Sequence, residues 1–147
     1  MSTFAQLHKK FSELNLKKEA VSVIVERKQE IVEFNKSQLL NDGETKLGVK
    51  LKKYKSDAYA RKKNRRNPSP GLGNPDLYDK GDFFDGMTVK IIDQNKYEIT
   101  STDSKTNALI KKYGKDILGL SIASRIEMVK DFFRSDFNDR IRLKTGL

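Results

Sequence analysis

Apolar residues recur at helical intervals at both ends of the chain and alternate at its centre. Thr3 and Gln6 have the spacing of a capping box, and Leu7, Phe11 and Leu14 follow on one helical face, so a helix is expected from Phe4. Asn15 is a candidate interruption. Val21, Ile24, Val25, Ile31, Phe34 and Leu39 continue the pattern through Glu19 to Leu40, and Asn41-Asp42-Gly43 stops it. This predicts one long helix, or two in tandem, with a single apolar stripe. Val49-Lys50-Leu51-Lys52 alternates but is short and charged for a strand. Tyr54, Ala58 and Tyr59 then place a short basic helix over Ser56 to Asn64, started by Ser56-Asp57.

From Phe83 to Ile92 the period is two, with Met87, Val89 and Ile91 on one face and Thr88, Lys90 and Ile92 on the other. Asp93-Gln94-Asn95-Lys96 reads as a turn into Tyr97 to Ser101, giving an antiparallel hairpin that needs a helix to lean on. Asp103 or Ser104 caps a short helix carrying Ala108, Leu109 and Tyr113, with Gly114 as its stop. Ser121 opens the last helix, in which Ile122, Ile126, Val129, Phe133, Phe137 and Ile141 recur at steps of four and three before Gly146.

The fold expected is α+β: a long N-terminal helix and a C-terminal helix packed on a small antiparallel β-sheet, with a long central loop. The chain reads as a single domain, 1–147, with a helical region at 1–41, a basic segment and extended loop at 42–82, a β-hairpin at 83–101 and helices at 102–147. Its core is expected to draw on Ile24, Ile31, Phe34, Ile126, Val129 and Phe133.

Composition limits the chemistry. Hydrophobic residues make up 36% of the 147, low for a compact monomer, which suggests order completed by neighbours in an assembly. The absence of cysteine excludes disulfides, a thiolate nucleophile and zinc–cysteine sites. Met1 to Phe11 lacks the apolar core of a leader, and no apolar run reaches the ~18 residues of a membrane span. A soluble protein made inside the cell, with no membrane partner, is expected.

The single histidine, His8, sits in Leu7-His8-Lys9-Lys10 and reads as a solvent-facing helix residue. No phosphate-binding loop, dinucleotide fingerprint or nucleophile elbow occurs, and Gly71-Leu72-Gly73 is a turn fragment. Asp76, Asp79, Asp82 and Asp85 fall at steps of three, a pattern open to a hard cation. Beside so many lysines they read better as turn caps, ion-pair partners or contacts to a neighbour. No catalytic residue, cofactor or metal is expected.

Charge is concentrated in one place. Nine of the 30 lysines and arginines lie between Lys50 and Arg66 against one acid, Asp57, while the rest of the chain is nearly neutral. Lys50, Lys52, Lys53, Lys55, Arg61, Lys62, Lys63, Arg65 and Arg66 are the candidate contacts to DNA or to an acidic partner. Tyr54 and Tyr59, interleaved with them, are open to base stacking or to burial against the core, and burial is the better reading. All three prolines, Pro68, Pro70 and Pro75, fall in the loop that follows, whose length suits a binding or assembly role.

The order of these features resembles the tail-completion, or virion-morphogenesis, proteins of the bacteriophage head–tail neck. The residues carrying the likeness are Asp42-Gly43, Leu47-Gly48, Tyr54-Lys55-Ser56, Tyr59-Ala60-Arg61-Lys62-Lys63, the Pro68 to Pro75 loop, and Pro75-Asp76-Leu77-Tyr78-Asp79-Lys80-Gly81-Asp82-Phe83 ahead of the hairpin. They span about 60 residues of the centre, and each element is short and degenerate, so their order carries the match. The family pattern usually has threonine where Lys80 stands, which puts any role of that hydroxyl in doubt.

The resemblance implies a structural adaptor without catalysis, assembled in the host cytoplasm into a homo-oligomeric ring of about six copies within the virion. Its partners would be the portal-proximal connector, the tail-tube proteins and the DNA in the channel. Pro68, Pro70, Leu72, Pro75, Leu77, Asp79 and Asp82 would make the subunit interface. The alternative is a small basic nucleic-acid-binding protein; a metal-dependent nuclease using the aspartate cluster ranks third.

Overall fold

The computed structural model describes residues 3–147. Helices α1 (Phe4–Ser12), α2 (Leu16–Glu26) and α3 (Lys28–Ser37) lead through a π-helical turn, Gln38–Asp42, to Gly43. After an irregular stretch come α4 (Asp57–Arg66), the long loop and the short helix α5 (Asp82–Asp85). Strands β1 (Met87–Asp93) and β2 (Lys96–Ser101) form the sheet, and α6 (Thr106–Tyr113), a 3-10 turn, α7 (Ile122–Met128), a second π turn (Val129–Phe133) and α8 (Arg134–Thr145) complete the chain.

The single long N-terminal helix is corrected to three segments. Thr3 and Gln6 form the expected capping box on α1, and Asn15 is the break, its side chain accepting from the Lys18 amide to start α2. The break at Arg27 has no glycine or proline behind it. There the guanidinium donates to both oxygens of Asp136 (2.6 and 3.1 Å) and to Glu30 (3.1 Å), and lies 5.3 Å from the centre of the Phe132 ring. A contact 109 residues away in sequence thus accompanies the interruption, and no local pattern reports it.

The hairpin pairs Met87 with Ser101 and Val89 with Ile99, and an irregularity after Ile91 sets Asp93 opposite Lys96. Met87, Val89 and Ile99 face the core while Ile92 is exposed, in the expected alternation. Residues 83–86 belong to α5 and its C-cap and not to the hairpin; Phe83 and Phe84 are buried side by side, which a helical turn permits and a strand with one covered face does not. Val49 to Lys52 contributes only an isolated bridge, Glu44 to Lys50.

Helix α3 packs across β1, α2 against α8, and α3 against α7. Val23, Ile24, Ile31, Val32 and Leu39 meet Phe83, Phe84, Val89, Ile99, Met128 and Phe132 between these elements. The C-terminal helices bury a different row from the one expected: Met128 and Phe132 are inside, Val129 and Phe133 are half-buried, and Ile126 is exposed. Apolar residues occupy two adjacent rows here, and the row facing α3 wins. No helix among the described residues is long and apolar enough to cross a membrane.

Buried amides fix the remaining loop. The Asn35 side chain donates to the Ile117 carbonyl (3.1 Å) and accepts from the Gly119 amide (2.8 Å). The Gln38 side chain donates to the carbonyls of Glu44 and Gly119 and accepts from the Ser121 amide (2.8 Å). Both are almost fully buried, so these bonds replace water that the backbone has lost.

Candidate basic interface

Ser56 caps α4 through the Tyr59 amide, as the sequence indicates, and the helix runs to Arg66. Ala60 and Lys63, three apart, are its buried residues and form its inner edge. Lys63 is therefore turned inward. Its ammonium pairs with Asp76 at 2.8 Å, both side chains being at least nine-tenths buried, and donates to the Tyr78 carbonyl. Asp76 also accepts from the Asn67 side chain and the Tyr78 amide, each at 3.0 Å. Lys63 is thus a structural residue, unable to reach a partner.

Two further members of the block have partners within the chain. Lys50 lies 3.5 Å from Glu44 and donates to the Asp42 carbonyl. Arg66 donates to the Asp79 carbonyl (2.9 Å), with its carboxylate 3.9 Å away, though both side chains remain exposed. Lys52, Lys53, Lys55, Arg61, Lys62 and Arg65 are exposed. These six cations are the open part of the candidate interface, with Arg61, Lys62 and Arg65 on the outer side of α4.

The long loop is folded back onto the rest of the chain. Pro70 and Pro75 are buried, so these two expected interface residues are packed inside the chain. They close over Gly43, whose φ of +59° and contact with the Pro75 carbonyl leave no room for a side chain: a Cβ there would meet that oxygen at 2.8 Å. The Asn67 side chain ties the loop to the Leu40 carbonyl (2.8 Å), and the Tyr54 amide donates to Gly73 (3.0 Å). Pro68, Leu72, Asp79 and Asp82 remain exposed and Leu77 is half-buried. Leu77 has a φ of +59°, which stores strain between the buried Asp76 and the outward Tyr78.

The aspartates serve different ends. Asp76 satisfies Lys63, Asp79 meets Arg66, and Asp82 and Asp85 bound α5. Among the described residues no group of three or more histidine or acidic side chains is placed to hold a metal ion.

Sequence reasoning missed two apolar surfaces. Helix α1 packs against α8 yet buries none of its own residues, leaving Phe4 85% and Phe11 42% exposed. On α7, Ile122 is 69% and Ile126 50% exposed, with Arg125, Lys130 and Arg134 around them. The periodicity was visible in both helices; which side it would face was not.

The chain matches no protein-family model, and no curated protein or solved structure matches it.

Proposed function

We propose that the protein is a structural component of a bacteriophage neck, a tail-completion protein that acts without catalysis as one subunit of a ring of about six copies. The observation that carries this reading is that the residues of the neck-like signature lie together as one folded unit. Gly43 seats Pro70 and Pro75, Ser56 starts α4, Lys63 locks Asp76, and Gly81, with a φ of +98°, starts α5. That unit holds six exposed cations on and before α4 facing outward.

The apolar surfaces of α1 and α7 support assembly. A heterologous ring interface brings two different surfaces together, and an uncovered Phe4 and Ile122 are what a protomer awaiting neighbours would expose. Pro68, Leu72, Leu77, Asp79 and Asp82 remain the loop's candidate contacts. The α4 cations would face channel DNA or an acidic face of the connector or tail tube, in a particle assembled in the host cytoplasm.

Native mass spectrometry of the wild type and of an Ile122→Asp/Ile126→Asp variant tests the assembly. The reading predicts a ring-sized oligomer that the variant disperses while keeping its circular dichroism. A wild type that stays monomeric at ~100 μM, far above ordinary interface dissociation constants, would contradict self-assembly through this surface.

The free-standing nucleic-acid-binding reading is favoured by one observation, the unpaired outer row of α4. It predicts tight duplex binding at low salt without any ring.

A further inference from the structure

Four of the chain's five tyrosines line one cleft. It has a volume of about 270 Å³, and Tyr54, Tyr59, Tyr78 and Tyr113 contribute to its walls. Tyr54 and Tyr59 meet edge to face with centroids 4.9 Å apart, and Tyr78 meets Phe84 at 5.6 Å. The rings are therefore held by their neighbours, while Tyr59 and Tyr78 keep exposed surface.

Ammonium groups surround the rings. Lys80, Lys105 and Lys112 line the same cleft, and the Lys112 ammonium lies 5.1 Å from the Tyr113 centroid. Lys63 also lines it but is neutralised by Asp76. Of the two carboxylates at the cleft, Asp79 is drawn to Arg66, leaving Asp82 against three lysines. Planar aromatic surface with a positive rim suits a group that is itself flat and carries a phosphate. A purely acidic peptide would use the lysines and leave the rings without a role.

We propose that this cleft binds an unpaired nucleobase together with its adjoining phosphate. Tyr59 offers a face for stacking, and Lys105 and Lys112 hold the phosphate. The cleft is walled in part by α4, and Lys62 follows Tyr59 by three residues on a neighbouring row of that helix, so a strand held at Lys62 delivers a base to the tyrosines. The inference rests on the polyanion contact at α4 and not on the ring.

The test is binding of a ten-residue oligothymidylate, read by tyrosine fluorescence, which is clean because the chain has no tryptophan. Heparin, a polyanion without bases, is the control. The oligonucleotide should quench the emission, Tyr59→Ala should weaken its binding about ten-fold with heparin affinity unchanged, and Tyr59→Phe should restore it. Absence of quenching, or equal oligonucleotide affinity in Tyr59→Ala, would overturn the cleft assignment. If heparin also fails to bind at low salt, the α4 contact itself falls; if heparin binds and the tyrosine changes nothing, only the cleft proposal does.

Discussion

Lys63 and its neighbours Arg61, Lys62 and Arg65 are alike in sequence and opposite in placement, the first buried and the others exposed. Lys63 and Asp76 form a buried pair with further hydrogen bonds, so Asp76→Ala, which strands an ammonium inside, should cost about 3–5 kcal/mol in denaturant unfolding. Charge reversal at Arg61, Lys62 and Arg65 should leave unfolding within about 0.5 kcal/mol per site, as exposed substitutions do, and, on the proposed polyanion contact, should abolish any salt-sensitive binding of DNA. Gly43→Ala is a third case. At a positive φ and with the Pro75 carbonyl in the way, it should lose roughly 2–3 kcal/mol and loosen the loop, seen as faster amide exchange at Gly73 and Asn74. The basic block was legible in the sequence as a whole, but its division into open and buried cations was not. One signal did exist: Ala60 and Lys63 share a face, and Asp76 is the first acid after the helix.

At the scale of elements, caps and stops read well because they are local. Thr3, Asn15, Ser56, Ser121, Gly114 and Gly146 all act where short-range chemistry places them. The division of the N-terminal helix and the choice of apolar row in α7 depend on distant partners, so periodicity alone could not decide them. Glu19 shows the same dependence. It is buried in α2 between Lys144 (2.5 Å) and Arg140 (3.0 Å) of α8. The hydrogen bond from Lys144 outweighs burial, and with help from Arg140 it holds the carboxyl below the usual glutamate range. A depressed folded value means stabilisation that is complete above the unfolded value of ~4.3 and lost as pH falls through the folded one. Thermal melts from pH 7 to pH 3 should therefore fall more steeply for the wild type than for Glu19→Gln. Arg140→Ala/Lys144→Ala, which leaves the buried carboxylate without partners, should cost about 3 kcal/mol at neutral pH and less in acid.

For the whole molecule, the mixed helical and antiparallel architecture followed from the hydrophobic pattern, as did the hairpin and most helix positions. How the central loop packs did not: Pro70 and Pro75 are folded into the chain, and uncovered apolar side chains lie on α1 and α7 as well as at Leu72. Low hydrophobic content with exposed Phe4, Ile122 and Ile126 supports the proposal of a protomer completed by neighbours, in which the concentrated charge of α4 would form a positive face. The most direct measurement is to purify phage particles from cells expressing the chain with a small epitope tag, count its copies by quantitative mass spectrometry, and locate it by gold-labelled antibody. The account predicts about six copies per particle, with gold at the head–tail junction. Particles complete with tails and free of the protein would contradict it.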